Sequence, residues 1–306
     1  MRAKAIVKIC ICGTIALVLA SVLVSLLAIP RVLDWKIGDL SFHWIDDHGS
    51  DEGYTVGEAS VSGEVRELDV SWLSGSVTVE LTDGDAVTLR EEPQPESSDA
   101  RMRWKLQDGK LTVYSQKSGL TIPTRAKQLT IGIPAGRAGK LQKLSLDLSA
   151  ATASLPALTL RELELDSVSG SVTLTGGSYE NLDFDSTSGD LTVTDAAVGE
   201  LSADTTSGSL TLDGAFETID FDTTSGALHL TTSILPQDIS CDTVSGGVTL
   251  TLPENGGFSA TLDSVSGDLT VDGFAGSLHR DEFVYGQGGP AYEFDSVSGD
   301  VRICCA

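Results

Sequence analysis

With 44 acidic and only 20 basic side chains, a chain of 306 residues carries a formal net charge of −24. So little Lys and Arg cannot line a phosphate backbone, which excludes nucleic acid as a partner. Apolar residues make up 41% of the chain, enough for a sizeable core, and the recurrence of Ser, Thr, Gly and Asp predicts short strands and tight turns over helices.

Residues 1–8 form a short tail holding Arg2, Lys4 and Lys8, followed by an uncharged run, Ile9 to Ile29. At 1.5 Å per residue the run spans roughly 30 Å, the thickness of a bilayer core. The basic flank places the N-terminus in the cytoplasm and everything after the run outside, which predicts a single-pass protein of the cell membrane. A cleaved signal peptide is the competing reading. Against it, the run is long for that purpose and ends Leu26-Leu27-Ala28-Ile29-Pro30, without a small-x-small cleavage pattern. Neither Cys10 nor Cys12 follows a lipoprotein-type small residue. With Cys241, Cys304 and Cys305 the cysteines form neither a disulfide framework nor a zinc spacing.

Residues 30–60 read as a juxtamembrane linker with Trp35, Phe42, Trp44 and Tyr54. Residues 61–140 alternate apolar and polar positions irregularly, as in Val77-Thr78-Val79-Glu80-Leu81, with turn signals at Asp83-Gly84 and Asp108-Gly109. They carry 11 charges of each sign and are predicted to start a strand stack and cover its first rung.

Residues 141–306 carry 4 basic and 26 acidic side chains and are periodic. The pentapeptide Asp-[Ser/Thr]-[Val/Thr]-Ser-Gly ends at Gly170, Gly189, Gly208, Gly226, Gly246, Gly267 and Gly299, at spacings of 19, 19, 18, 20, 21 and 32. A degenerate copy at Asp147–Ala151 precedes them. Apolar residues alternate on both sides of each glycine, as Leu163/Leu165/Val172/Leu174 and Leu182/Phe184/Leu191/Val193. Such a two-strand unit cannot bury its face alone, but stacked units share one core. The predicted fold is therefore all-β, a β-solenoid of about eight two-strand rungs about 4.8 Å apart behind one transmembrane helix. An antiparallel sandwich is the competing architecture. The 32-residue spacing contains an excursion, Gly273–Ala291, read as a side hairpin, a loop or a flap over the last rung. That last rung ends at Ile303 with nothing left to cap it. Either the excursion folds over this edge or two rods meet there, with Cys304 and Cys305 close by.

The glycines are structural turns, needed for a sharp bend or a positive φ. Thr173, Thr192, Thr211, Thr249 and Thr270, with His229 and Arg302 in the same slot, read as an outward ladder. Asp166, Asp185, Asp204, Asp222, Asp242, Asp263 and Asp295 would stack as like charges. At about 4.8 Å even full water screening leaves roughly 0.9 kcal/mol of repulsion per neighbouring pair. Two offsets are open: hydrogen bonds from turn N–H groups, or divalent cations such as Ca²⁺ between rungs. The Gly-Gly-x-Gly-x-Asp repeat of calcium-binding β-rolls is missing, and no other cofactor is indicated.

No catalytic motif stands out. The four histidines, His43, His48, His229 and His279, are scattered, and the carboxylates repeat in columns where an active site would single out a few.

The C-terminal stretch Val284-Tyr285-Gly286-Gln287-Gly288…Tyr292-Glu293-Phe294-Asp295-Ser296-Val297-Ser298-Gly299-Asp300-Val301-Arg302-Ile303 and the run Gln128-Leu129-Thr130-Ile131-Gly132-Ile133-Pro134 ahead of the Ser-Gly units carry a resemblance. Together they resemble the bacterial "putative adhesin" family, a β-strand-repeat domain of unknown function, over roughly residues 65–303. The resemblance implies a solenoid-like domain carried by membrane-anchored or secreted proteins of Gram-positive bacteria, some tied to envelope stress. It implies no catalytic residues. The expected function is non-enzymatic: an adhesin-like surface-binding or scaffolding protein tethered through residues 9–29. The alternatives are an envelope-stress sensor that binds a cationic peptide or envelope component and acts through a membrane protein partner, and, trailing, a polysaccharide-active β-helix enzyme.

Overall fold

The computed structural model describes residues 51–119 and 125–306. The expected span at 9–29, the first part of the linker, Cys10, Cys12, His43 and His48 lie outside them. Among the described residues no helix is long and apolar enough to cross a membrane.

Strands dominate, and successive sequence units pair parallel and in register, which decides against a sandwich of antiparallel hairpins. Each unit has an arm before the Ser-Gly turn and an arm after it. Among the described residues the arms before the turn stack in the spatial order 110–114, 67–71, 143–148, 162–167, 181–186, 200–205, 218–223, 238–243, 291–296 and 259–264. The arms after the turn follow the same order, from 127–134 to 269–272. Ten rungs result, two more than the pentapeptide count. One of the two is the strand Glu67–Thr82, in which Ser71-Trp72-Leu73-Ser74-Gly75 aligns with Asp147–Ala151. The other joins Lys110–Tyr114 to Lys127–Pro134 and has no Ser-Gly turn, with Lys127 standing opposite Gly75.

The inner columns form one continuous core. Leu163, Leu182, Leu201, Ile219, Ile239 and Tyr292 stack in one line, all buried. The adjacent line runs Leu165, Phe184, Ala203, Phe221, Cys241, Phe294. Large and small residues alternate there because side chains on rungs about 4.8 Å apart share one interior volume. Cys241 thus fills a packing slot, and burial pushes its thiol pKa well up.

The order of rungs departs from chain order at both ends. The first rung in sequence, Glu67–Thr82, lies inside the rung that follows it. The last, Ala291–Ser296 with Val301–Cys305, inserts between 238–252 and 257–272. The expected open edge at Ile303 is therefore corrected: Ile303 is fully buried and paired on both sides. Insertion hides both edges of a terminal strand pair that would otherwise fray. The outermost rung at that end is Gly257–Ser264 with Leu269–Asp272.

Antiparallel strands cover both arms of the outermost rung at the first end and one of the two arms at the other. At the first end Arg103–Gln107 pairs with Lys110–Tyr114, and Val87–Glu92 with Lys127–Pro134. At the other the excursion forms a hairpin, Ser277–His279 with Glu282–Gly286, laid on Gly257–Thr261. Phe274, Phe283, Tyr285 and Tyr292 gather around Phe258 beneath it, with ring centroids 5.0–5.9 Å from that of Phe258, and close the core as an aromatic plug.

Candidate functional site: a stacked acidic face

The turn glycines act through close approach. A Cβ on Gly170 would overlap the carbonyl oxygen of Ala151, and one on Gly189, Gly208, Gly226 or Gly246 that of the glycine one rung before. Gly299 meets Gly246 and Gly267 meets Gly299 in the same way. None of these seven has a positive φ, in contrast to Gly75 at +107°. The left-handed backbone expected as one reason for them is therefore absent, and what demands glycine is the approach of the neighbouring rung, which neither expected reason named.

Hydroxyls hold each turn. In six of the seven turns the oxygen of the residue after the aspartate accepts the glycine N–H, as Ser167 from Gly170, Ser186 from Gly189, Thr223 from Gly226 and Thr243 from Gly246 at 2.7–2.8 Å. In the remaining turn Thr205 donates to the Gly208 carbonyl at 3.0 Å. The second serine of the motif bonds along the stack, Ser188 donating to the Val168 carbonyl at 3.2 Å and Ser207 to that of Thr187 at 3.3 Å. Hydroxyls therefore take the N–H groups expected to bond the carboxylates. Among the described residues none of the seven aspartates accepts a turn N–H.

Those aspartates do stack. Continuing from Asp147, the column runs Asp166, Asp185, Asp204, Asp222, Asp242, Asp295, Asp263. Two parallel outward columns add Glu164, Asp183, Asp220 and Glu293, then Glu162, Glu200 and Asp238. Lys143 neutralises the near end, 2.6 Å from Glu162 and 2.8 Å from Glu164. From rung 181–186 onward no basic residue occupies these three columns.

The crowding shows in the acidities. Burial against the packed arms, then the charges of Asp185 and Asp147, push Asp166 up to about 6. Burial, then Asp242 and Asp204, push Asp222 up to about 7. Asp185, Asp204, Asp242 and Asp295 move the same way, with burial again the largest cause. A proton bound more tightly in the folded state than in the unfolded chain makes stability fall as pH rises through this interval. The protein is thus expected to melt higher near pH 5 than near pH 7.5. Asp222→Asn should raise stability near pH 7.5 by about 1 kcal/mol, after discounting for solvent screening, and leave it unchanged near pH 4. Urea midpoints at the two pH values check this; equal midpoints for both chains near pH 7.5 would refute the electrostatic reading.

The remaining candidates do not converge. His229 stands in the threonine column between Thr211 and Thr249, whereas His279 lies on the terminal hairpin. Among the described residues no three His, Cys, Asp or Glu side chains are grouped to hold a metal ion, because the ladder extends as lines. The cavity between Val65, Leu68, Val87, Ile133 and Leu141 has a volume of only about 20 Å³, room for one water. Sequence reading missed the Ser71–Gly75 turn; its signal was a Ser-Gly pair three residues after Ser71, without the aspartate.

Among known proteins, the family described as Toastrack DUF4097 matches residues 65–304. Similar solved structures include a "putative adhesin" of Parabacteroides merdae, 14% identical over 83% of this chain and 97% of that one, with a TM-score of 0.46. Another is a "putative adhesin" of Bacteroides fragilis, 13% identical over 83% and 98%, with a TM-score of 0.41. A "putative lipid binding protein" of Parabacteroides distasonis is 14% identical over 83% and 97%, with a TM-score of 0.45. No curated protein matches the chain. The family match spans nearly all of the stacked rungs, and the chain belongs to the toastrack family DUF4097.

Proposed function

We propose that this protein is a non-enzymatic, adhesin-like binding domain, a β-solenoid tethered to the outer face of a bacterial membrane by residues 9–29, whose acidic face binds a cationic component of the envelope or a cationic peptide. The observation that carries this reading is the in-register acidic face, held in place by hydroxyls and left without counter-charges over most of its length. Carboxylates held half-buried beside like charges gain from an added cation, because its charge offsets their mutual repulsion. A partner presenting many positive charges engages several rungs at once, so weak contacts sum.

The test is binding of oligolysine to the full chain in neutral detergent, at an ionic strength of about 0.15 M where the Debye length is about 8 Å. Binding should persist there and weaken at least about tenfold in the triple variant Asp185→Asn, Asp204→Asn, Asp222→Asn. Binding that vanishes at this salt, or that ignores the triple variant, would overturn the proposal. Parallel melts with calcium and with chelator separate organic cations from divalent ions as the preferred counter-charge.

A further inference from the structure

We infer that the far end of the stack is a self-recognition surface at which two copies of this chain join end to end. The outermost arm, Leu269–Asp272, pairs with Val301–Cys305 on one side, and among the described residues no strand covers the other. Its inner residues Leu269 and Val271 continue columns in which Val301 and Ile303 are 2% and 0% exposed, yet they are themselves only half-buried. The two most exposed large apolar residues of the described chain, Val265 at 57% and Leu278 at 52%, sit at this same end. An open edge beside exposed apolar groups is what stacked proteins normally hide.

The open edge selects a second copy as the occupant, because two such edges present the same unpaired backbone groups and the same half-buried apolar columns to each other. Residues 141–306 contain four basic side chains, and two of them, Arg280 and Arg302, lie at this end. Arg280 stands at the exposed tip of the hairpin turn with φ +58°, a conformation that favours Gly or Asn. Asp281 and Glu282 follow it, and Arg302 binds Asp272 at 2.9 Å. Acids outnumber bases at this end and Arg302 is already bridged to Asp272, so the two-fold contact compatible with these charges is one that sets Arg280 of each copy toward Asp281 and Glu282 of the other. An antiparallel contact across the two-fold also lets each open arm satisfy its mate's backbone groups and extends the Leu269/Val271 columns into one core.

The first described strand, Thr55–Val56, lies against the opposite end of the stack. With the tether of the proposed function, this end points away from the membrane, and a two-fold join bridges two facing surfaces. The interface itself does not depend on that tether.

Sedimentation of the full chain in neutral detergent should show a monomer–dimer equilibrium, and proteoliposomes of neutral phosphatidylcholine carrying the chain should cluster. Val265→Asp with Leu278→Asp, both at exposed positions, should weaken dimerisation at least about tenfold while leaving the melting curve in place. Leu269→Lys is the second, independent edge variant and should act alike. A monomer at every concentration, or a dimer untouched by both variants, overturns the inference. Clustering with bare vesicles would show lipid binding in its place and overturns it as well. A variant-sensitive dimer without vesicle clustering upholds the interface and removes only the tethered geometry.

Discussion

Gly226→Ala is expected to cost about 3 kcal/mol or more, because the added methyl has nowhere to go. A Cβ at Gly226 overlaps the Gly208 carbonyl oxygen and sits within 3.0 Å of both its carbon and the Thr223 hydroxyl. Backbone in a neighbouring rung cannot swing aside as a flexible side chain would. Relief requires prising two rungs apart, which lengthens the parallel ladders on both arms and strips the Gly226 N–H from the Thr223 oxygen, now 2.8 Å away. Gly256→Ala is the control: its Cβ would meet nothing within 4 Å and its φ is not positive, so stability should stay within about 0.5 kcal/mol. Urea midpoints of the two variants, with the denaturant slope unchanged, check the pair. Equal, small effects would mean that the glycines serve some purpose other than letting rungs approach.

Lys127→Met should be as damaging, at about 3–5 kcal/mol. Lys127 replaces the turn glycine in the outermost rung of the first end and is 3% exposed; its ammonium lies 2.7 Å from the Glu91 carboxylate, which is fully buried. The ammonium also donates to the carbonyls of Ala100 and Ser115 and sits 5.0 Å from the centroid of the Trp72 ring. Glu91 in turn accepts the Met102 N–H through both oxygens, at 3.1 and 3.2 Å. Removing the lysine strands a carboxylate in the core with one backbone donor. Removing both charges in Glu91→Leu with Lys127→Met should recover most of the loss, leaving about 1–2 kcal/mol for the backbone groups that lose partners. A double variant no better than the single one would show that the pair holds the cap by geometry and not by charge compensation.

The two variants probe different parts of the molecule, and the sequence exposed them unequally. The Gly226 position is visible in the bare period, since only stacking explains seven Ser-Gly turns at nearly fixed spacing. The Lys127–Glu91 pair is not, because it joins residues 36 apart at an end where the period fails. A buried charge has no local signature: it is tolerated only when the fold brings its partner to it.

The aspartate ladder was half legible. Its existence and register follow from the repeat, but its chemistry did not. The carboxylates and the inward Ser/Thr hydroxyls compete for the same glycine N–H groups, and a pentapeptide cannot say which side chain faces in. Folding decides for the hydroxyls, since a neutral Ser167 or Thr223 tolerates burial while a carboxylate there would need a counter-charge. The aspartates are left outside and in line, and burial beside like charges raises the pKa values of Asp166, Asp185, Asp204, Asp222, Asp242 and Asp295.

What the sequence alone determined is thus everything that repeats: the all-β class, the inner and outer columns, the turn glycines and the acidic face. These follow from contacts between neighbouring rungs, which are the same at every step. The tertiary structure alone decided the order of rungs and the treatment of the ends. Rungs that share one interface motif stack equally well on any neighbour, so nothing in the 257–272 or 291–305 repeat states which comes first in space. Connections, hairpin and aromatic plug settle it, placing the C-terminal rung inside and leaving Leu269–Asp272 as the open edge.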